Sequence, residues 1–135
     1  MVNNEENSDI AFQLGPNSFS KIYAHRSLVL FRAIERETQQ ELGMEYSFSE
    51  IIHQGRVPQF LIDVYNAKPG TTLVIEEVLD KSSFIKLLEL LYCDKFLEQM
   101  TTLQMRGVSE VAKNLNLVNI SNYLKRKVES AVIKI

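Results

Sequence analysis

Asp80-Lys-Ser-Ser-Phe-Ile-Lys-Leu-Leu-Glu-Leu-Leu-Tyr92 is the stretch from which the rest of the chain can be read. Phe84, Leu87, Leu88, Leu91 and Tyr92 fall at i, i+3, i+4, i+7 and i+8, the spacing of one buried face on an α-helix. Asp80 precedes them as an N-cap, its carboxylate able to accept from an orphan amide of the first turn. Ile85 and Leu90 lie off that stripe. A helix apolar on more than one side is central to its domain, so this is read as a hub helix with the other elements around it.

Working back towards the N-terminus, Thr71–Val78 is β-branched and apolar and reads as a strand. Lys68-Pro69-Gly70 before it is a tight turn, with Pro at i+1 and Gly at i+2. Pro58 reads as the first position of a helix whose inward residues are Phe60, Leu61, Val64 and Tyr65. Ile34–Arg56 is rich in glutamate (Glu35, Glu37, Glu41, Glu45, Glu50) and interrupted by Gly43 and Gly55. It predicts a helical start, a mobile loop and a docking turn at Phe48–Ile52. Earlier still, His25–Ala33 reads as a helix, and Asp9–Leu14 and Ser20–Ala24 as two strands of a hairpin around Gly15-Pro16-Asn17-Ser18. Residues 1–7 read as a flexible N-terminus.

Beyond the hub helix, Phe96, Leu97 and Met100 form an apolar cluster. A helix capped by Thr101 or Thr102 presents Val108, Val111, Ala112 and Leu115. A last helix begins near Asn119 or Ser121, with Ile120, Tyr123, Leu124, Val128 and Ala131 inward. The order β-β-α-α-β-α-α-α gives an α+β fold, a small three-stranded sheet packed on a cluster of about five helices.

Composition narrows the function. The 135 residues suit a single domain, here 8–135, and the net charge of −2 leaves no electrostatic footprint for nucleic acid. One cysteine, Cys93, cannot form an internal disulfide, which points to an intracellular setting, cytoplasm or nucleus. No apolar run approaches the ~18 residues of a membrane span. With two histidines and one cysteine there is no zinc spacing, and the five glycines are isolated, so no phosphate loop is present. No catalytic residue, metal or cofactor is expected. Asn119-Ile120-Ser121 fits a glycosylation sequon and is read as a chance match. Lys125-Arg126-Lys127 is read as a solvated helix face rather than a nucleic-acid contact.

Several segments in this order resemble a BTB/POZ domain. Ser8-Asp9-Ile10-Ala11-Phe12-Gln13-Leu14 resembles the family's opening "(S/C)-D-V-x-F-x-V". Tyr23-Ala24-His25-Arg26-Ser27-Leu28-Val29-Leu30 resembles its "x-A-H-(K/R)-x-V-L-x". Phe84–Lys95 resembles its "F-x-x-L-L-x-(Y/F)-L-Y-T-G-x", and Val111–Leu117 its "A-x-x-L-x-L". The resemblance spans about residues 8–130. It departs in two places. Residues 34–57 stand as an insertion between Arg32-Ala33 and Pro58-x-Phe60. The connection Asn66–Thr72 lacks the hydrophobic-x-Glu motif common among cullin adaptors.

What the resemblance implies is a protein-interaction module that homodimerises or acts as an adaptor, without touching nucleic acid or membrane. Asp9 and Arg26 are then expected to form the family's buried charge pair, each neutralising the other's desolvation cost and chiefly fixing how strand and helix meet, with a charged pocket that a partner peptide uses as the functional alternative. On that basis Asp9→Asn is expected to lower the melting temperature clearly. A cullin ubiquitin ligase is the alternative partner, with Phe60, Tyr65 and Tyr92 as contact residues and Lys68–Thr71 shaping the contact. The short segment before Asp9 weakens dimerisation through an added N-terminal helix and shifts attention to the helix beginning at His25 and to the insertion. From a different class, a small enzyme with an unrecognised site is the remaining alternative. Residues 34–56 are expected to be the most exchange-labile internal segment.

Overall fold

A computed structural model of the chain describes residues 8–15, 21–38, 57–76 and 80–133, the side chains of Thr38, Asp94 and residues 131–133 excepted. The described elements are β1 (Ile10–Leu14), β2 (Ile22–Ala24), α1 (Arg26–Thr38), α2 (Gln59–Asn66), β3 (Thr71–Ile75) and α3 (Lys81–Tyr92). A 3₁₀ helix (Asp94–Gln99) then leads to α4 (Thr102–Asn114) and α5 (Val118–Ile133). The fold is α+β, a three-stranded mixed sheet with helices packed on it.

β1 is the central strand, in the order β2-β1-β3. It pairs antiparallel with β2, Ile10 opposite Ala24 and Phe12 opposite Ile22, and parallel with β3, Ile10 opposite Thr71 and Leu14 opposite Ile75. Because side chains alternate along a strand, Ile10, Phe12, Ile22, Ala24 and Ile75 share one face, and all are buried. Phe12 carries that face into the helices. Its ring meets Phe84 of α3 at 5.2 Å and Phe60 of α2 at 5.7 Å, and Phe60 meets Phe84 edge-on at 6.5 Å. Edge and offset contacts of this kind add to simple burial.

α3 is the hub that its spacing predicts. Phe84, Leu87, Leu88 and Leu91 are buried, and so is Leu90 off the stripe, while the helix packs against both α1 and α4. Asp80 caps it: Oδ1 accepts from the Ser83 amide at 3.3 Å and Oδ2 from the Ser83 hydroxyl at 2.7 Å. The Ser83 hydroxyl bond, then the amide bond, hold the Asp80 carboxyl below its usual range. α4 starts with a reciprocal capping box, Thr101 with Gln104, and ends on Asn116 at φ 61°. There the Leu117 amide reaches the Ala112 carbonyl at 2.8 Å and the Asn116 amide the Lys113 carbonyl at 3.0 Å, the pattern of a left-handed helix stop.

The expected turn is present too. The Thr71 amide donates to the Lys68 carbonyl at 3.0 Å, and Gly70 at φ 83° occupies the position of the turn that a Cβ would strain.

Two boundaries differ from the sequence reading. α1 runs on through Thr38, because Ala33 and Ile34 extend the buried stripe begun by Val29 and Leu30. Residues 34–38 are thus the helical start expected of that segment, and Ile34 and Val57 are buried at its two ends. The rest of that segment, the Phe48–Ile52 docking turn with it, lies outside the described residues, as do residues 1–7 and 16–20. Pro58 is the N-cap of α2 and not its first helical residue; its carbonyl accepts from the Leu61 and Ile62 amides.

Candidate functional site

The chemistry-bearing side chains singled out in the sequence meet where β1, β2, α1, α2 and α3 converge. Asp9 stands at the foot of β1. Its amide donates to the Ala24 carbonyl at 3.2 Å and its carbonyl accepts from the Gly70 amide at 2.9 Å, so both neighbouring strands hold its backbone. Its carboxylate Oδ1 accepts from the Arg26 amide at 2.7 Å. α1 is thus capped by a residue from another element, which supplies both the missing acceptor and a negative charge at the positive end of the helix.

Arg26 turns its guanidinium the other way. Nε donates to the Val64 carbonyl at 2.9 Å and Nη2 donates to the Tyr65 carbonyl, which places the cation at the C-terminal end of α2. The guanidinium carbon also lies 5.8 Å from the centre of the Tyr65 ring. Asp9 and Arg26 thus fix how β1 and α1 meet. The two residues touch through the main chain of Arg26, and the charged groups serve two different helix ends. The physical reason is that helix termini hold unsatisfied amides and carbonyls, which a planar fork of donors can satisfy as fully as a carboxylate can.

This geometry changes the expectation for Asp9→Asn. An asparagine carboxamide keeps the oxygen that the Arg26 amide needs. Asp9→Asn is expected to change stability by under about 0.5 kcal/mol, whereas Asp9→Ala, which removes the cap, costs about 1 kcal/mol. Chemical denaturation of both variants separates the two; equal large losses would restore the charge-pair account.

His25 and Tyr92 complete the junction. The Tyr92 hydroxyl accepts from the His25 amide at 2.6 Å and lies 2.8 Å from Nδ1 of the same residue. The hydroxyl and Nδ1 share a hydrogen bond whose direction follows the imidazole tautomer. Burial raises the Tyr92 hydroxyl above its usual pKa; the His25 amide opposes this and the Asp9 charge adds to it. Tyr92 is thus held as a neutral phenol.

Of the expected partner-contact residues, Tyr65 and Tyr92 reach this junction and are half-buried, while Phe60 is 7% exposed. Phe60 is corrected to a core residue, because its ring fills the space between Phe12 and Phe84.

A second polar joint was not legible in the sequence. The half-buried Glu37 near the end of α1 accepts from the amides of Asn119 and Ile120 at 3.1 and 3.0 Å, while Asn119 Nδ2 donates to the Glu37 carbonyl at 2.5 Å. Each residue caps the other's helix. Burial raises the Glu37 carboxyl above its usual range, outweighing the two amide bonds that lower it. A raised folded-state pKa means that this group's stabilisation is complete below the unfolded value and is lost as pH rises through the folded value. Glu37→Gln is therefore expected to gain on the wild type as pH rises from about 4 to 7. Melting curves of both proteins across that range check it, and a widening deficit for the glutamine variant would overturn it.

The same joint disposes of the sequon. Asn119 is engaged with Glu37, and Ser121 is buried with its hydroxyl donating to the Ser109 carbonyl at 3.0 Å. Ser109 returns the contact to the Ser121 carbonyl at 3.1 Å, pinning α4 to α5.

Among the described residues no helix is long and apolar enough to cross a membrane, and no group of three His, Cys, Asp or Glu side chains could hold a metal. Cys93 is exposed. Recesses mark the surface of the described residues. One of about 110 Å³ lies between α2, β3 and the end of α4, and an open groove of about 480 Å³ runs between α4 and α5. A polar recess of about 200 Å³ lies between α1 and α5. Glu37, Asp80 and Tyr92, the groups with displaced pKa values, line none of them. No family model, curated protein or solved structure matches this chain.

Proposed function

We propose that this chain is a protein-interaction module of the BTB/POZ type, which homodimerises and presents partners to a larger assembly. The observation that carries the reading is the junction at Asp9 and Arg26. The two segments that resemble the family's opening strand and its "A-H-(K/R)" helix start are joined there by a hydrogen bond, and Arg26 secures the next helix. The element order around a central β1 supports the same reading.

The dimer surface is the outer face of α1. Leu28 is 39% exposed there, and Phe31, half-buried, follows one turn later under the Arg32 guanidinium at 5.9 Å. Apolar side chains that lie together on an outer helix face offer a surface a second copy could cover. Light scattering after size exclusion is the test. A mass near twice 15.5 kDa for the wild type, falling to the monomer in Leu28→Asp, is expected. A monomeric wild type would overturn homodimerisation.

Binding to a cullin is the second reading. Tyr65, Tyr92 and the Lys68–Thr71 turn, its candidate contact residues, converge on one junction through Arg26, His25 and the Gly70 amide. Adding the N-terminal region of the BTB-partnering cullin to the same column tests it. An unchanged elution of both proteins removes that reading.

A further inference from the structure

β3 ends the sheet in the order β2-β1-β3, and among the described residues no strand lies against its outer side. The register shows which main-chain groups are left there. Leu73 stands opposite Phe12 and Ile75 opposite Leu14, and the Ile75 carbonyl accepts from the Gly15 amide at 2.8 Å. Alternate residues of a strand turn amide and carbonyl to the same side, so Leu73 and Ile75 face β1 while Thr72 and Val74 face outward. The Thr71 amide is taken by the turn at Lys68.

Proteins blunt such an edge with a short strand, a charged side chain, a proline or a bulge. β2, the other edge, is three residues long and follows the exposed Lys21. β3 has five residues with neither charge nor proline among them, and its register with β1 runs without a bulge. Val74 is 49% exposed, on the face of the sheet away from Phe12.

We infer that this edge pairs with the same edge of a second copy of the chain, antiparallel about a two-fold axis at Leu73. That register sets Thr72 of each copy opposite Val74 of the other. Residues opposed in this way exchange both their hydrogen bonds, so the outward amides and carbonyls of Thr72 and Val74 are all satisfied. Both side chains are β-branched, which suits a cross-strand pair. The flanks select a second copy over another strand. Lys68 precedes β3 and Glu76 follows it, both exposed. Antiparallel pairing brings the Glu76 end of one copy to the Lys68 end of the other, and symmetry repeats the match at the far margin. Parallel pairing would set like charges together. This interface shares no residue with the α1 face and does not rest on it. A single five-residue edge belongs to the weak class of interfaces, below about 1,200 Å², so association is expected at about 0.1–1 mM.

The test uses the full chain carrying Leu28→Asp, so that the α1 face is blocked. Its Thr72 and Val74 amide resonances and its sedimentation are followed from about 0.05 to 1 mM. Both amides are expected to move with concentration while the mass rises above 15.5 kDa. Adding Val74→Lys, at an exposed position, is expected to abolish both effects. Val74→Pro, which removes an outward amide and no bond to β1, is expected to do the same. Glu76→Lys is expected to weaken the association about threefold, and Lys68→Glu combined with Glu76→Lys to restore it. A constant mass with unmoved amides, or undiminished association in Val74→Lys, overturns the pairing. Charge reversal that the double swap fails to restore overturns the antiparallel register. A peptide of alternating threonine and valine that moves both amides as far as self-association does overturns the second copy and leaves an edge open to any strand. The α1 dimer is read in Val74→Lys alone, so failure of either interface is seen without the other.

Discussion

Arg26→Ala is expected to destabilise the protein by about 3 kcal/mol, more than any other single change to a polar group described above. The guanidinium donates to the Val64 and Tyr65 carbonyls and covers the Tyr65 ring. Its removal leaves the last turn of α2 with two acceptors short of a donor, at about 1–3 kcal/mol for each that water cannot reach. The Ala67 amide, 3.3 Å from the Val64 carbonyl, supplies only a part of what is lost. The Asp9 cap survives, because it uses the Arg26 amide. Arg26→Lys is expected to recover less than half the loss, since an ammonium cannot span both carbonyls in the plane of the fork. Urea denaturation with a common slope measures both. A loss under about 1 kcal/mol for the alanine variant would mean that water replaces the guanidinium and that the junction is not a structural joint.

Gly107→Ala carries the second large effect, and its sign runs against helix propensity. In an exposed helix interior the change from glycine to alanine gains roughly 1 kcal/mol. Gly107 lies in α4 where that helix crosses the start of α3, and a Cβ added there would stand 2.6 Å from the Ser83 hydroxyl oxygen. Ser83 is buried and its hydroxyl is bonded to Asp80 at 2.7 Å, so rotating it away gives up that bond, while the Ser83 amide still reaches Asp80 Oδ1. The helices must separate or the buried Ser83 hydroxyl must lose its bond to Asp80. A net loss of about 2 kcal/mol is expected, or roughly 5–10 °C in melting temperature. The double variant Ser83→Ala with Gly107→Ala removes the oxygen and is expected to be more stable than the sum of the two single changes by about 1 kcal/mol or more. Strict additivity would show that the two residues do not meet.

These two sites also mark the limit of what the sequence reveals. The hub helix, its Asp80 cap, the Pro69-Gly70 turn and the inward residues of α4 were legible because each rests on neighbours within a few positions. Periodicity and capping are local signals. Gly107 was recorded only as an isolated glycine, since its meaning depends on Ser83 one helix away. The Glu37–Asn119 joint was invisible for the same reason: nothing near Glu37 distinguishes it from the other glutamates of its segment. Burial of Phe60 was partly legible, as it lay on the inward stripe of α2, yet the family pattern drew it into the contact surface. The Asp9–Arg26 contact was anticipated as a pairing of side chains, and helix-end chemistry divided it into two separate bonds.

The parallel alignment of β1 with β3 bears on how the chain reaches this structure. Ile10 must find Thr71 before the central strand has both neighbours, with β2, α1 and α2 inside the closed loop. The entropy of closing it is lost before the sheet contacts compensate. α4 and α5 are adjacent in sequence and joined by a short left-handed stop and the Ser109–Ser121 bonds, so that pair assembles without waiting for the sheet. Folding is expected to begin at the C-terminal hairpin and to be limited by strand alignment. During synthesis the order is reversed: the strands emerge first and remain without their hub until α3 is made. Folding kinetics would then show Ser109→Ala slowing refolding with little change in unfolding, because the hairpin is already formed at the barrier, and Leu73→Ala slowing refolding to the extent that strand alignment is complete there; Ser109→Ala mainly speeding unfolding would place hairpin formation after the barrier. An expressed chain that ends before Lys81 would present the β2-β1-β3 sheet with its core face uncovered by α3, which is the form most prone to self-association.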